Sequence, residues 1–271
     1  MALTTEQRRA LIQAEQAARQ QIRDRLQNYA NLYWTGLGSW RDADIERFVE
    51  SLVPRVQAGQ IAVAQITDAY LAAYTDSPAA GVIDLSNTRG GVTLEEVYHR
   101  PATQLYTELS SGKPFNIALD IATARLLGLI ATDLQLAMTH QAQASNMGGR
   151  KMYQRTLTGR ENCALCTIAS TQRYYVKKLM PIHPGCDCGI APYTGEDVQI
   201  INEELLEATH SAIDNKLALN DRGARNLGLG KTTSQGKPIS DFTDLIVTQS
   251  HGEYGPTLAW RDHVFTGPQG L

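Results

Sequence analysis

No apolar run in this sequence of 271 residues approaches the length that a membrane-spanning helix needs. The first residues, MALTTEQRRALIQAEQ, are polar and helical in character rather than those of a secretory leader. The expected setting is therefore a cytoplasm. Neither sign of charge dominates: 25 basic residues stand against 28 acidic ones, a formal net charge of −3. That balance alone points to no class of partner. There is no internal repeat and no low-complexity tract, and the G-x-S-x-G elbow of serine hydrolases is absent. Cysteine is missing from all but one stretch, because the four cysteines fall within residues 163–188. In a reducing compartment such residues are more often metal ligands or reactive thiols than disulfides. With 42 % hydrophobic and 20 % charged residues, the chain reads as an ordinary globular protein. It has room for one large domain or two modest ones.

What is present first is helix. Thr4 or Thr5 can cap a long first helix with Glu6 in its opening turn. Thr5-x-x-Arg8 makes no capping box. Leu11, Ala14, Ala18, Ile22, Leu26, Tyr29 and Tyr33 repeat at three- and four-residue intervals along one face, and the arginines lie mostly off it. A solvated amphipathic helix is expected, with an arm packed on a partner or nucleic acid as the alternative. Gly36 and Gly38 break it. A second helix starts at Asp42 or Asp44, carrying Ile45, Phe48, Val49, Leu52, Val53 and Val56, and Gly59 is expected to separate it from a third over residues 61–74. Residues 76–91 read as a loop. Thr93 with Glu96 forms a capping box for a helix that Pro101 kinks or splits. A proline-free helix follows over 116–145, with Ile121, Ala124, Leu127, Leu134 and Met138 as its buried stripe.

After Gly149 the texture changes. Residues 153–157 and 172–176 are short and rich in β-formers, so they read as strands flanking the first cysteine pair. A helix is expected over 198–218, a loose polar linker over 220–238, and a tail to the end. The expected class is mainly α: a long-helix domain over 1–150, a small Cys-rich α+β lobe over 151–197, and an extended C-terminal region over 198–271.

The densest chemistry lies in the lobe. Cys163-x-x-Cys166 lets two thiolates face one centre from a tight turn, and Cys186-x-Cys188 forms a second arm about 20 residues downstream. His183 adds a fifth donor. Zinc suits nitrogen and sulfur ligands, and a closed set of four of these five would be structural. Three alternatives stand beside it. Two disulfides could join Cys163 or Cys166 to Cys186 or Cys188. Cys166 could be a nucleophile with His183 as base. The cysteines could also be a redox pair, although a thioredoxin-like βαβ setting is lacking.

The charge around this cluster is lopsided. Arg150, Lys151, Arg155, Arg160, Arg173, Lys177 and Lys178 face only Glu161 between residues 147 and 182, with Tyr153, Tyr174 and Tyr175 among them. Such a face can lie against phosphates or an acidic protein partner, or it can simply be solvated.

The stretch from about residue 100 to 192 resembles the MuF-like minor head proteins of tailed bacteriophages, the phage head-morphogenesis family. The likeness rests on the helix segment Ala131-Thr132-Asp133-Leu134-Gln135-Leu136-Ala137 and on Tyr153-Gln154-Arg155 leading into Cys163-x-x-Cys166. Its most specific part is His183-Pro184-x-Cys186-x-Cys188 with Pro192 after it, an HPxCxC block. The tail, from His251-Gly252-Glu253 to Phe265-Thr266-Gly267-Pro268, is similar to the C-termini of such proteins from actinophages. The resemblance implies a virion component, present in a few copies per head, that joins portal and major capsid or scaffold proteins in the host cytoplasm. Some members affect packaging or ejection of DNA.

Related actinophage proteins carry the label capsid maturation protease, which makes a peptidase the alternative reading. Ser145, Ser170 and Ser250 are candidate nucleophiles, and His140, His183, His210 and His251 candidate bases, but no spacing among them picks out a triad. A soluble DNA-binding packaging factor is a third expectation.

Overall fold

The computed structural model describes residues 3–145, 149, 151–157, 170, 173–176, 188–195, 246–251 and 255–260, with backbone alone for 173–174 and the last two ranges. Four helices make most of it: α1 (Thr5–Thr35), α2 (Asp42–Thr75), α3 (Leu94–Ser110) and α4 (Phe115–Ala144). They pack up, down, up and down. Tyr29 on α1 shares a hydrogen bond of 2.6 Å with Ser51 on α2 near one end. Toward the other end the Arg8 guanidinium lies 5.9 Å from the Tyr74 ring centre. Gln27 of α1 donates to the Leu127 carbonyl of α4 at 2.9 Å. α3 runs against α4, with Tyr98 on Asp133 and Gln104 on Arg125. At 17 residues α3 spans about 25 Å, half the reach of its neighbours. The rest of that face is covered by residues 76–93, which run without helix or strand.

Local chemistry accounts for the helix ends. Thr4 caps α1 by accepting from the Gln7 amide, while the Gln7 side chain accepts from the Thr4 amide. The capping box is therefore Thr4-x-x-Gln7, one residue before Thr5-x-x-Arg8. Thr93 caps α3 by accepting from the Glu96 amide.

Two expected breaks are absent. α2 is one helix of 34 residues that runs through both Pro54 and Gly59, so Gly59 separates nothing. A Cβ there would stand 2.5 Å from Leu26 Cδ1 and 3.3 Å from Leu134 Cδ2. The missing side chain lets α1, α2 and α4 approach closely, and that packing offsets the poor helix propensity of glycine. α3 likewise is not split at Pro101, which is buried within it.

α4 is the central helix. Every position from Leu129 to Thr139 is buried, so no single stripe describes it. Leu134 and Met138 are buried as the sequence pattern predicts, but Ala124 is exposed, and Ala118, Ala122 and Leu126 line the core nearer the N-terminus. Trp34, Phe48, Leu52, Leu71, Tyr98 and Leu105 close the core from the other helices.

Beyond α4 a small antiparallel sheet takes the order β2-β1-β3, from β1 (Met152–Thr156), β2 (Arg173–Tyr175) and β3 (Gly189–Pro192). β1 and β2 fall close to the expected strands. β3 has no alternating pattern and was not expected. A hairpin of β4 (Ile246–His251) and β5 (Gly255–Trp260) pairs in register from Ile246 with Trp260 to His251 with Gly255. The protein is thus mainly helical with small sheets. The helix expected over 198–218 and the linker over 220–238 lie outside the described residues. No described helix is long and apolar enough to cross a membrane.

Candidate functional site

Of the five expected metal donors, Cys163, Cys166, His183 and Cys186 lie outside the described residues, and Cys188 lies within them. The Cys188 side chain is fully buried and belongs to the main core cluster. Among the described residues no three His, Cys, Asp or Glu side chains converge as a metal site. The described flanks of the cysteine stretch are adjacent. Thr156, at the end of β1, is the register partner of Gly189, which directly follows Cys188. The end of the central strand β1 and the start of β3 are therefore paired neighbours, with β2 on the other side of β1.

The β1–β3 pair is fastened to the helical body. Gln16 Nε2 on α1 donates to Thr156 Oγ1 at 3.2 Å. The Tyr70 hydroxyl on α2 donates to the Ile190 carbonyl of β3 at 3.1 Å. Burial pushes the Tyr70 phenol well above its ordinary range, and Glu15 adds to this, so the hydroxyl keeps its proton for the bond. Gly189 fits where no side chain would: a Cβ would stand 2.9 Å from Thr156 Oγ1, 3.0 Å from Gln16 Nε2 and 3.2 Å from an Arg19 nitrogen. Arg19 is itself held by Glu15 on the same helix, at 2.5 Å.

The expected basic face divides. Lys151 is exposed. Arg155 is not: its side chain is fully buried, because Tyr153, Gln154, Arg155 and Thr156 are all buried and both faces of β1 are therefore covered. It presents no charge to an outer surface. Arg173 sits opposite Gln154 in the sheet by its backbone. Arg150, Arg160, Lys177 and Lys178 lie outside the described residues.

The helix motif around Asp133 has a visible job. Asp133 is fully buried, and it accepts from Arg89 Nε at 2.6 Å and from the Tyr98 hydroxyl at 2.6 Å. Burial, with Asp133 beside it, raises the Tyr98 phenol well above its ordinary range, so Tyr98 acts as a donor. Further residues hold the same connection. The Asp68 carboxylate takes the amides of Ala80 and Gly81 at 2.9 and 2.8 Å. The buried Gln141 amide accepts from Ile83 N at 3.0 Å and donates to Gly81 O at 2.8 Å. Residues 76–93 form a strap clamped over the half of the bundle that α3 leaves bare. A charged residue inside the apolar α4 pattern was the available signal for Asp133. Asp68 and Gln141 carried none, since each sits on a helix face like many solvated residues.

Among the candidate hydrolytic residues, side chains are described for Ser145, Ser170 and His140. Ser145 caps the end of α4, with its hydroxyl on the Ala142 carbonyl at 2.9 Å. Ser170 is buried, and Ser250 and His251 are neighbours in β4. His140 is half-buried on α4. Burial lowers its pKa below the ordinary value, and a hydrogen bond with the Thr88 backbone on the strap opposes this. His183 and His210 lie outside the described residues. On the strap itself, the Ser86 amide and then its hydroxyl hold the Asp84 carboxyl below its ordinary range, so Asp84 stays charged at neutral pH.

Compared with protein-family models, with curated proteins and with solved structures, the chain matches none.

Proposed function

We propose that this chain is a minor head protein of a tailed phage, of the MuF-like kind that its HPxCxC block resembles. In this reading it joins portal and major capsid or scaffold proteins during procapsid assembly and stays in the virion. The helical bundle is the body that meets those partners, and the cysteine lobe is a structural knot. The observation that carries the reading is the way the block ends. Cys188 is buried in the common core, and Gly189 packs against Gln16 and Arg19 of α1. A block that served only as a detached tail would gain nothing from a side-chain-free position at a strand–helix contact.

Zinc fits the donor chemistry under the same reading, with four of Cys163, Cys166, His183, Cys186 and Cys188 as ligands. A closed site asks for buried thiolates, and the one described donor is buried. Such a metal would contribute on the order of 10 kcal/mol to folding of a lobe with little core of its own. Packaged DNA is a further partner in this reading, reached through exposed lysines such as Lys151.

Mass spectrometry of purified heads tests the location, and this chain is expected among the head proteins at a few copies. Its absence would sink the reading. Metal analysis with thiol counting tests the knot: about one zinc per chain and thiols protected until a chelator is added are expected. A capsid or scaffold protein shortened only when this chain is intact would replace the reading with a maturation peptidase.

A further inference from the structure

A cleft of about 540 Å³ opens between α2, the strap and the first turn of α3. Three features of its lining do not follow from the needs of the fold. Gln60 is 3 % exposed, and its Nε2 has no hydrogen-bond partner among the described residues. Ile61 and Val82 are 47 % and 41 % exposed in the same cleft. Asp84 and Glu95 stand exposed in its lining, whereas the guanidinium that reaches it, Arg89, is engaged by buried Asp133.

We propose that this cleft docks a short basic peptide segment of a partner protein, anchored by one apolar side chain. The apolar side chain covers Ile61 and Val82. A main-chain carbonyl of the segment accepts from Gln60 Nε2. Flanking Lys or Arg side chains meet Asp84 and Glu95. Each feature asks for its part of that ligand. A buried N–H with no acceptor is costly, and a ligand carbonyl removes the cost. Exposed apolar side chains that line one concavity mark interaction sites more than scattered ones do. Two exposed carboxylates, with no salt bridge among the described residues, reject an acidic ligand and attract a basic one. The size lies in the range of sites that enclose a side chain or a small ligand. The proposal does not depend on the phage reading.

The test uses the full chain, methyl- and amide-labelled for NMR, and two probes: acetyl-Lys-Leu-Lys-Leu-Lys-amide and its counterpart with Glu in place of Lys. The basic peptide is expected to shift Ile61, Val82 and the Gln60 side-chain amide in a saturable way, and the acidic one is not. Gln60→Leu keeps the shape and removes the donor, so it should melt no lower than wild type while binding about tenfold more weakly. Asp84→Asn with Glu95→Gln should weaken the basic peptide by a similar factor. Shifts centred outside the cleft, equal binding of both peptides, unchanged affinity in the folded Gln60→Leu protein, or no saturable binding would each overturn the proposal.

Discussion

Arg89 and Asp133, 44 positions apart in the chain, meet at 2.6 Å with 5 % and 0 % of their side chains exposed. One comes from the strap and the other from the central helix, so their pairing fixes where the strap lies. A buried pair of this kind is not primarily a source of stability, because both ions lose their water. Breaking it is another matter. Asp133→Ala removes the buried carboxylate that the Arg89 guanidinium and the Tyr98 hydroxyl share. A loss of about 3–5 kcal/mol is expected in urea unfolding. The double variant Arg89→Met with Asp133→Leu should lose clearly less than Asp133→Ala. A double variant as unstable as the two single losses summed would show that the pair does not act as a unit.

Gly59 sets two effects against each other. Gly59→Ala gains about 1 kcal/mol of helix propensity. It also drives a methyl to 2.5 Å from Leu26 Cδ1 and 3.3 Å from Leu134 Cδ2. Crowding a packed core costs about 1–3 kcal/mol, so a net loss of about 1 kcal/mol is expected. In a Leu26→Ala background the space exists already, and the same change should become neutral or stabilising. An equal effect of Gly59→Ala in both backgrounds would mean that the helices do not meet there.

Gly189 is crowded in a different way, by polar atoms of two elements. Gly189→Ala should cost about 1–3 kcal/mol, with the damage local. Amide exchange at Ile190 and Ala191 should quicken because β3 is pushed from α1, while amides of α3 keep their protection. Unchanged exchange at β3 would deny Gly189 its place in the junction.

Helical segments were legible because a 3.6-residue pattern records burial on one face, which α1 and α2 have, although α2 was read as two helices. The pattern failed where burial was total or the contact long-range. α4 is surrounded between Leu129 and Thr139, so its early stripe could not be read from period alone. Gly59 looks like a breaker unless Leu26 and Leu134 are known to press against it. β3 is four residues, Gly-Ile-Ala-Pro, buried at every position, and a fully buried strand has no alternation to see. Arg155 counted as surface charge because arginine usually is, and only the covering of both faces of β1 placed it inside. The strap clamps, Asp68 and Gln141, act on residues 12 and 60 positions away, distances at which a sequence pattern has nothing to say.

His140 couples the strap to pH. Its imidazole is half-buried, and burial disfavours the imidazolium in the folded chain more than the hydrogen bond with the Thr88 backbone favours it. The folded pKa is therefore below the unfolded one, which lies at about 6.5. Between the two values the unfolded chain binds more protons, so stability rises with pH in that window. The contribution is complete above about pH 6.5 and is lost as pH falls through the window toward the folded value. Carboxylates with depressed values, such as Asp84 and Glu108, also cost stability in acid, but only at lower pH, near or below the usual carboxylate range of about 4. His140→Asn keeps a hydrogen-bonding side chain without the charge. Urea midpoints measured from pH 8 to pH 5 should fall for the wild type below about pH 6.5 and stay flatter for the variant. The two curves should run parallel above that point. A wild type that gains stability relative to the variant as pH drops would reverse the sign and show that the imidazolium is welcomed in the folded state.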